Sequence, residues 1–347
     1  MPPTETLSNL YEIIGKIGEG TCGHVSKGRN KLTGQIVALK RIKHISEEQG
    51  FPPNSLTEIQ ILRKISHPNL VKLIQLCREE MDIYLVFEYF EFDLFGILYH
   101  SKIPSISFDQ VRSYSYQLLK GIEALHSKKI IHRDLKPANL LISKNNLLQI
   151  TDFGLACEKA ENKKMTNQVI TIWYRPPELL LGKETYGCEI DIWSVGCIIY
   201  EMITRNTLFR AMMDNEIEQL KAIFSVCGLP NPEWELWSHY PNAKMFLSDK
   251  KYQKKSLERH LHKFLPNEYQ PMIPILCGML EIDPSKRITA TNALSNLFFQ
   301  NHPDKLDPNN LPQIKVQENH QNLSFPKTTK TLIEEEPTNS RKPLLKL

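Results

Sequence analysis

The chain has 347 residues, 41% of them hydrophobic and 24% charged, enough for one large domain or two lobes around a sizeable core. Its net charge of +4 is mild, and no basic stripe alternates with aromatic residues, so direct nucleic-acid binding is not expected. The most apolar long stretch, Ile190 to Ile203, is interrupted by Asp191 and Glu201 and reads as a core helix, so no membrane association is expected.

The first residues lack the apolar core of a signal peptide. The seven cysteines are scattered and odd in number, and none forms a C-x-x-C pair. Reduced thiols fit that pattern better than a zinc site or a disulfide scaffold.

Residues 11–17 read as a strand entering the glycine turn Gly18-Glu19-Gly20-Thr21-Cys22-Gly23. A G-x-G-x-x-G run also marks dinucleotide-binding folds, but those need a helix after the glycines. Here the turn Asn30 to Gly34 and the strand Gln35 to Lys40 follow, which predicts a strand meander. Ala38 and Lys40 share a face of that strand, as a purine pocket beside a phosphate-binding cation would require. Leu56 to Ile65 has helical apolar spacing behind Pro52-Pro53. Within it Glu58 has two readings, a capping-box acid for Ser55 or an inward partner for Lys40, and the second is preferred.

Ile83 to Phe87 reads as a buried strand and Glu88 to Asp93 as a connector from a β-rich lobe to a helical one. Ser107 and Gln110 predict a capping box. It opens a long helix with a narrow seam at Val111, Ser115, Leu118, Ile122 and Leu125. The helix leads into His132-Arg133-Asp134-Leu135-Lys136-Pro137-Ala138-Asn139. This run holds an acid that could take a proton, a lysine two residues on and an amide that could hold a metal. Phosphoryl transfer asks for little more, because most of its catalysis is placement and charge stabilisation.

A short hairpin around Asn145-Asn146 and the turn Asp152-Phe153-Gly154 come next. Residues 157–168 are polar and read as mobile, before Val169 to Glu178 closes the segment. The remainder reads as helical to about Phe299. Residues 301–347 lack periodicity and read as a partly disordered tail.

With these motifs in order, the chain resembles a eukaryotic protein kinase over about residues 11–300. The runs Phe51-Pro52-Pro53-Asn54-Ser55-Leu56-Thr57-Glu58, Glu88 to Leu94 and Trp173-Tyr174-Arg175-Pro176-Pro177-Glu178 make it similar to a cyclin-dependent kinase. The last run, with Leu179 to Gly182 and Thr166 to Thr171, is most similar to the transcription-associated members, which act on the RNA polymerase II tail.

The resemblance implies an α+β, bilobal fold: an N-terminal extension at 1–10, a mostly-β lobe at 11–90, a mostly-α lobe at 91–300 and the tail. It implies ATP and Mg²⁺ as cofactors, a cyclin as partner, protein substrates with Ser/Thr-Pro sites, and a nuclear location, with a cytoplasmic one left open. Asp134 would accept or orient the substrate hydroxyl proton, Lys136 would neutralise the γ-phosphate, and Thr171 would be a third catalytic residue. Asn139 and Asp152 would hold the metal. Lys40 would hold the phosphates and Glu58 would position it. Gly18, Gly20 and Gly23 would cover the phosphates. Ile17, Val25, Ala38, Phe87 and Leu141 would line the adenine pocket, with backbone contacts from Glu88 and Phe90. Val169, Ile170 and Arg175 would receive a proline after the phosphorylated residue. Asp191 would brace the catalytic loop, and Arg287 would pair with Glu178.

Three positions depart from the family pattern. Its activation-loop threonine, here Thr166, is clasped when phosphorylated by three arginines; Arg133 is one, but Thr57 and Cys157 occupy the other two positions. Each lost charge-assisted hydrogen bond would cost about 1.5–3 kcal/mol. Lys159, Lys163 or Lys164 could substitute as point charges. Partner binding is therefore expected to carry more of the activation. Cys22 replaces a regulatory tyrosine of the glycine turn, which leaves Thr21 as a possible phosphosite. The alternatives are a catalytically weak scaffold with the same fold, or a related kinase that needs no cyclin.

Overall fold

The computed structural model describes residues 5–20, 23–44, 51–100, 105–159, 164–211, 213, 215–231, 234–247, 250–252, 255–301 and 306–314. The small lobe is built from β1 (Glu5–Thr6), α1 (Leu7–Leu10), β2 (Tyr11–Gly20), β3 (Gly23–Asn30), β4 (Ile36–Ile42), α2 (Pro53–Lys64), β5 (Leu73–Glu79) and β6 (Asp82–Glu88). Its sheet has the order β1-β5-β6-β4-β3-β2. β2, β3 and β4 pair antiparallel in succession, so the glycine turn sits in a meander and no helix follows it. Gly34, at φ +74°, makes the tight turn into β4, where a left-handed backbone favours glycine.

Alternation along β4 sends Val37 and Leu39 to the outer face and Ala38 and Lys40 to the inner one. Val37 and Leu39 are buried with Leu7, Tyr11, Cys77, Tyr84 and Val86 in a small outer core. Residues 5–10, read as an N-terminal extension, pack on the lobe: β1 pairs parallel with β5, and Leu7 is buried against the sheet. On the inner side α2 packs toward Phe153 and starts at Pro53, with Pro52 as its N-cap. Ser55 lies inside that helix and does not cap it.

Beyond the connector come β7 (Phe92–Asp93), α3 (Leu94–Tyr99) and α4 (Phe108–Ser127). The capping box of Ser107 and Gln110 is formed in both directions. The expected seam of α4 is buried, but so are Gln110, Arg112, Ser113, Tyr114, Gln117 and Leu119. The helix is wrapped by neighbours, which removes the one-sidedness the sequence pattern suggested. The lobe continues with β8 (Ile130–Ile131), β9 (Leu140–Ile142), β10 (Leu148–Ile150), β11 (Cys157–Glu158), α5 (Pro177–Leu180) and α6 (Glu189–Thr204), of which β8, β10 and α6 pack on α4. The lobe is completed by α7 (Glu216–Cys227), α8 (Leu257–Phe264), α9 (Ile273–Met279), α10 (Ala290–Leu294) and α11 (Leu297–Gln300). α6 is the predicted core helix, buried from Ile190 through Met202. Among the described residues no helix is long and apolar enough to cross a membrane.

Residues 306–314 run back over α4. Ser113 Oγ donates to the Leu306 carbonyl at 2.8 Å, and Gln110 Nε2 to the Pro312 carbonyl at 3.1 Å. The fully buried Asn146, at φ +61°, donates to the carbonyls of Leu311 and Pro312. Part of the expected tail is thus packed on the domain; residues 315–347 lie outside the described residues.

Candidate active site

The loop between β8 and β9 is fixed from below by Asp191 at the start of α6. Its carboxylate accepts the backbone N–H groups of His132 at 2.9 Å and Arg133 at 3.0 Å, and meets His126 Nε2 at 2.9 Å. These contacts hold Arg133 at φ +64°, a left-handed position that a non-glycine residue keeps only when its surroundings impose it. His132 adds a cross-brace: Nε2 lies 2.9 Å from the Thr151 carbonyl, and Nδ1 accepts the Asp134 N–H at 3.2 Å. That network assigns its ring proton to Nε2.

Three donors then converge on Asp134. Lys136 Nζ lies 2.8 Å from Oδ2, Asn139 Nδ2 lies 3.1 Å from it, and Thr171 Oγ1 donates to Oδ1 at 3.2 Å. Asn139 Nδ2 also donates to the Asp134 carbonyl at 2.8 Å, which turns its amide oxygen the other way. Asp134, Lys136 and Thr171, predicted together, are together.

Across the cleft Lys40 Nζ lies 2.6 Å from Glu58 Oε1 and 3.0 Å from Asp152 Oδ1. The inward reading of Glu58 therefore describes its position; it is 1% exposed. Burial pulls the Lys40 ammonium down, but Asp152 and Glu58 outweigh it and hold the group above its ordinary value. Burial raises Asp152 too, yet the Lys40 charge outweighs it and keeps this carboxyl below the usual range. Asp152 sits at φ +63°, and the next residue, Phe153, is wholly buried, so its ring anchors the turn beneath α2.

The small-lobe residues expected to line a purine pocket lie next to Lys40 on the sheet. Ala38 pairs with Phe87 across β4 and β6, and Val25 pairs with Lys40 across β3 and β4. Val25, Ala38 and Leu141 are half-buried, whereas Ile17 is 39% exposed. Glu88 is exposed at the end of β6, and Phe90 is buried. Gly18 pairs with Val25 and Gly20 with Gly23 at the hairpin end. Thr21 and Cys22 lie outside the described residues. A cation facing hard oxygen donors, the Asp152 carboxylate and the Asn139 amide, fits a nucleotide phosphate with Mg²⁺.

The closing segment carries the residues expected to receive a proline. Val169 and Ile170 are each 3% exposed. Ile170 is left-handed at φ +68°, and its carbonyl accepts Arg175 Nε at 3.1 Å and Nη2 at 3.0 Å. Arg175 Nη1 reaches Glu216 of α7 at 3.1 Å. Glu178 and Arg287 form a two-pronged pair at 2.7 and 2.9 Å, with no exposure on either side chain. Thr166 is exposed.

Sequence reasoning missed His126, Glu216 and Tyr186. Each acts on a residue far along the chain, and no local spacing signals it. A buried knot of Glu201 with Tyr99 and Tyr174 was also missed; Tyr174 donates to Glu201 Oε2 at 2.7 Å. It ties α3, the closing segment and α6 together.

A sequence profile of the family described as "Protein kinase domain" matches residues 11–299. The chain is 40% identical over 316 residues to cyclin-dependent kinase 12 of Caenorhabditis elegans, a match covering 87% of this chain and 42% of that protein. It is 36% identical over 349 residues to cyclin-dependent kinase 9 of Homo sapiens, covering 96% and 92%. Among solved structures, the crystal structure of the yeast RNA Pol II CTD kinase CTDK-1 complex superposes with a TM-score of 0.77 at 36% identity, covering 84% of this chain and 93% of that one.

Proposed function

Since the chain belongs to the protein kinase family and, within it, to the cyclin-dependent kinases, we propose that it transfers the γ-phosphate of ATP to serine or threonine followed by proline. The observation that carries this reading is the convergence of Lys136, Asn139 and Thr171 on Asp134, opposite the Lys40–Asp152 pair.

Asp134 accepts a hydrogen bond from the incoming hydroxyl and orients its oxygen. Lys136 sets a positive charge beside that oxygen, and Thr171 fixes the Asp134 rotamer. Lys40, held by Glu58, presents its ammonium to the phosphates. Asn139 and Asp152 would hold Mg²⁺, which when bound neutralises charge on the phosphate oxygens. The half-buried pocket of Val25, Ala38 and Leu141, closed by Phe87, takes the base.

Proline selection follows from Ile170. Its carbonyl is occupied by Arg175, so it offers no acceptor to the N–H of the residue after the serine. Proline has no N–H to lose. Any other residue would bury one unpaired, at about 1–3 kcal/mol.

Similarity to cyclin-dependent kinases 12 and 9 supports a cyclin as the activating partner, and similarity to the yeast RNA Pol II CTD kinase complex supports the RNA polymerase II tail as substrate and a nuclear location. Transfer from Mg-ATP to matched Ser-Pro and Ser-Ala peptides, by chain purified alone and with its co-purifying partner, tests this. The reading expects transfer to Ser-Pro in the partner fraction only, and none with Asp134→Asn. Equal, Asp134-independent signals in both fractions would leave a partner-binding scaffold as the better account.

A further inference from the structure

Thr57 and Cys157 occupy clasp positions, and neither turns toward Thr166. Thr57 Oγ1 donates to the Pro53 carbonyl of its own helix at 3.2 Å. The Cys157 thiol points at Met165 Sδ, 4.0 Å away. Of the three candidate lysines, the two among the described residues do not replace them. Lys164 pairs with Glu184 at 2.8 Å. Lys159 Nζ lies against Gly187, where an added Cβ would come within 3.1 Å of it. Lys163 is outside the described residues.

The segment is nonetheless tied down. Met165 N–H donates to the Glu184 carbonyl at 2.8 Å. The Tyr186 hydroxyl donates to the Thr166 carbonyl at 2.6 Å and accepts Arg133 Nη1 at 3.2 Å. Arg133 Nε donates to the Leu155 carbonyl at 2.6 Å. Tyr186 is 6% exposed, so this relay is shielded from water, which strengthens it. The Thr166 side chain takes no part; its Oγ1 accepts the Gln168 N–H at 3.2 Å.

An activation-loop phosphate orders a loop by giving arginines an acceptor. Here the arginine already has neutral acceptors, and one of them passes the contact on to the loop backbone. We propose that Tyr186 is a positioning residue whose hydroxyl couples Arg133 to the Thr166 backbone, holding the segment that carries Ile170 and Thr171 in its working place without a phosphate on Thr166. The proposal rests on the kinase reading above. Loss of the hydroxyl frees the segment a few residues before Thr171, so peptide binding suffers first. The nucleotide, held by the small lobe and Asp152, is untouched.

The experiment compares wild type, Tyr186→Phe, Thr166→Ala and Asp134→Asn, each with its co-purified partner, before and after phosphatase treatment. Two quantities are read: steady-state transfer to a Ser-Pro peptide and amide hydrogen exchange. Tyr186→Phe should lower kcat/KM about tenfold, mainly through the KM for peptide, with the KM for ATP unchanged. Exchange over residues 164–170 should quicken while the small-lobe sheet, the folding control, stays protected. Thr166→Ala and phosphatase-treated wild type should stay within about threefold of untreated wild type. Wild-type transfer and exchange in Tyr186→Phe would overturn the proposal. So would a Thr166→Ala protein as inactive as Asp134→Asn. Should no protein exceed that blank, the kinase reading fails, while the exchange comparison still decides the relay.

Discussion

Asp191 shows how a residue that touches no substrate sets the active site. It is wholly buried and holds two backbone N–H groups of the catalytic loop together with the His126 ring. Burial alone would raise its pKa, but the His126 contact and the His132 N–H outweigh burial and hold it below the usual carboxylate range. The sign for stability follows. A carboxyl with a depressed folded pKa stabilises the protein above its unfolded value, about 3.9, and that contribution is lost as pH falls through the folded value. Denaturant midpoints followed from about pH 7 down to about pH 3 should fall steeply at the acid end in wild type. Asp191→Asn should be less stable at neutral pH and fall less steeply in acid. Parallel pH profiles for the two proteins would contradict this role. Residue types at this scale were legible in the sequence: an acid, a lysine and an amide in one short run announce phosphoryl transfer before any fold is known. The His126 contact was not, because its partner lies 65 residues away.

At the scale of elements, the segment from Val169 to Glu178 is where specificity is built. Ile170 holds a left-handed backbone because Arg175 captures its carbonyl with two nitrogens and is itself steadied by Glu216 of α7. Arg175→Met should free that carbonyl to accept an N–H, so the ratio of kcat/KM for Ser-Pro over Ser-Ala should fall by about tenfold toward unity. An unchanged ratio would mean that proline is chosen by packing against Val169 and not by the missing N–H. The meander around the glycine turn was legible because glycine and turn spacing leave no room for a helix after β2. The reach of α4 was not. Its pattern suggested a narrow seam, but α6, β10 and residues 306–314 cover it from several sides, and even Arg112 and Gln117 are buried. Periodicity reports a helix facing one neighbour and fails for a helix surrounded by several.

On the scale of the whole molecule, two lobes supply complementary halves of one centre. The small lobe contributes Lys40 and Glu58; the large lobe contributes Asp134, Asn139 and Asp152, with Phe153 packed beneath α2. Motif order along the chain implied this division, since each motif is local. The relay through Tyr186 and the strap of residues 306–314 join parts distant in sequence, and only the fold brings them together. The account's central claim is that Asp134 serves transfer and not nucleotide binding. The measurement that meets it most directly is single-turnover γ-phosphate transfer to a Ser-Pro peptide, with the Mg-ATP Kd taken on the same samples of partner-bound wild type and Asp134→Asn. The account predicts a Kd within about twofold and a transfer rate lower by about 10²–10⁴-fold in Asp134→Asn. Equal transfer rates in the two proteins would contradict it.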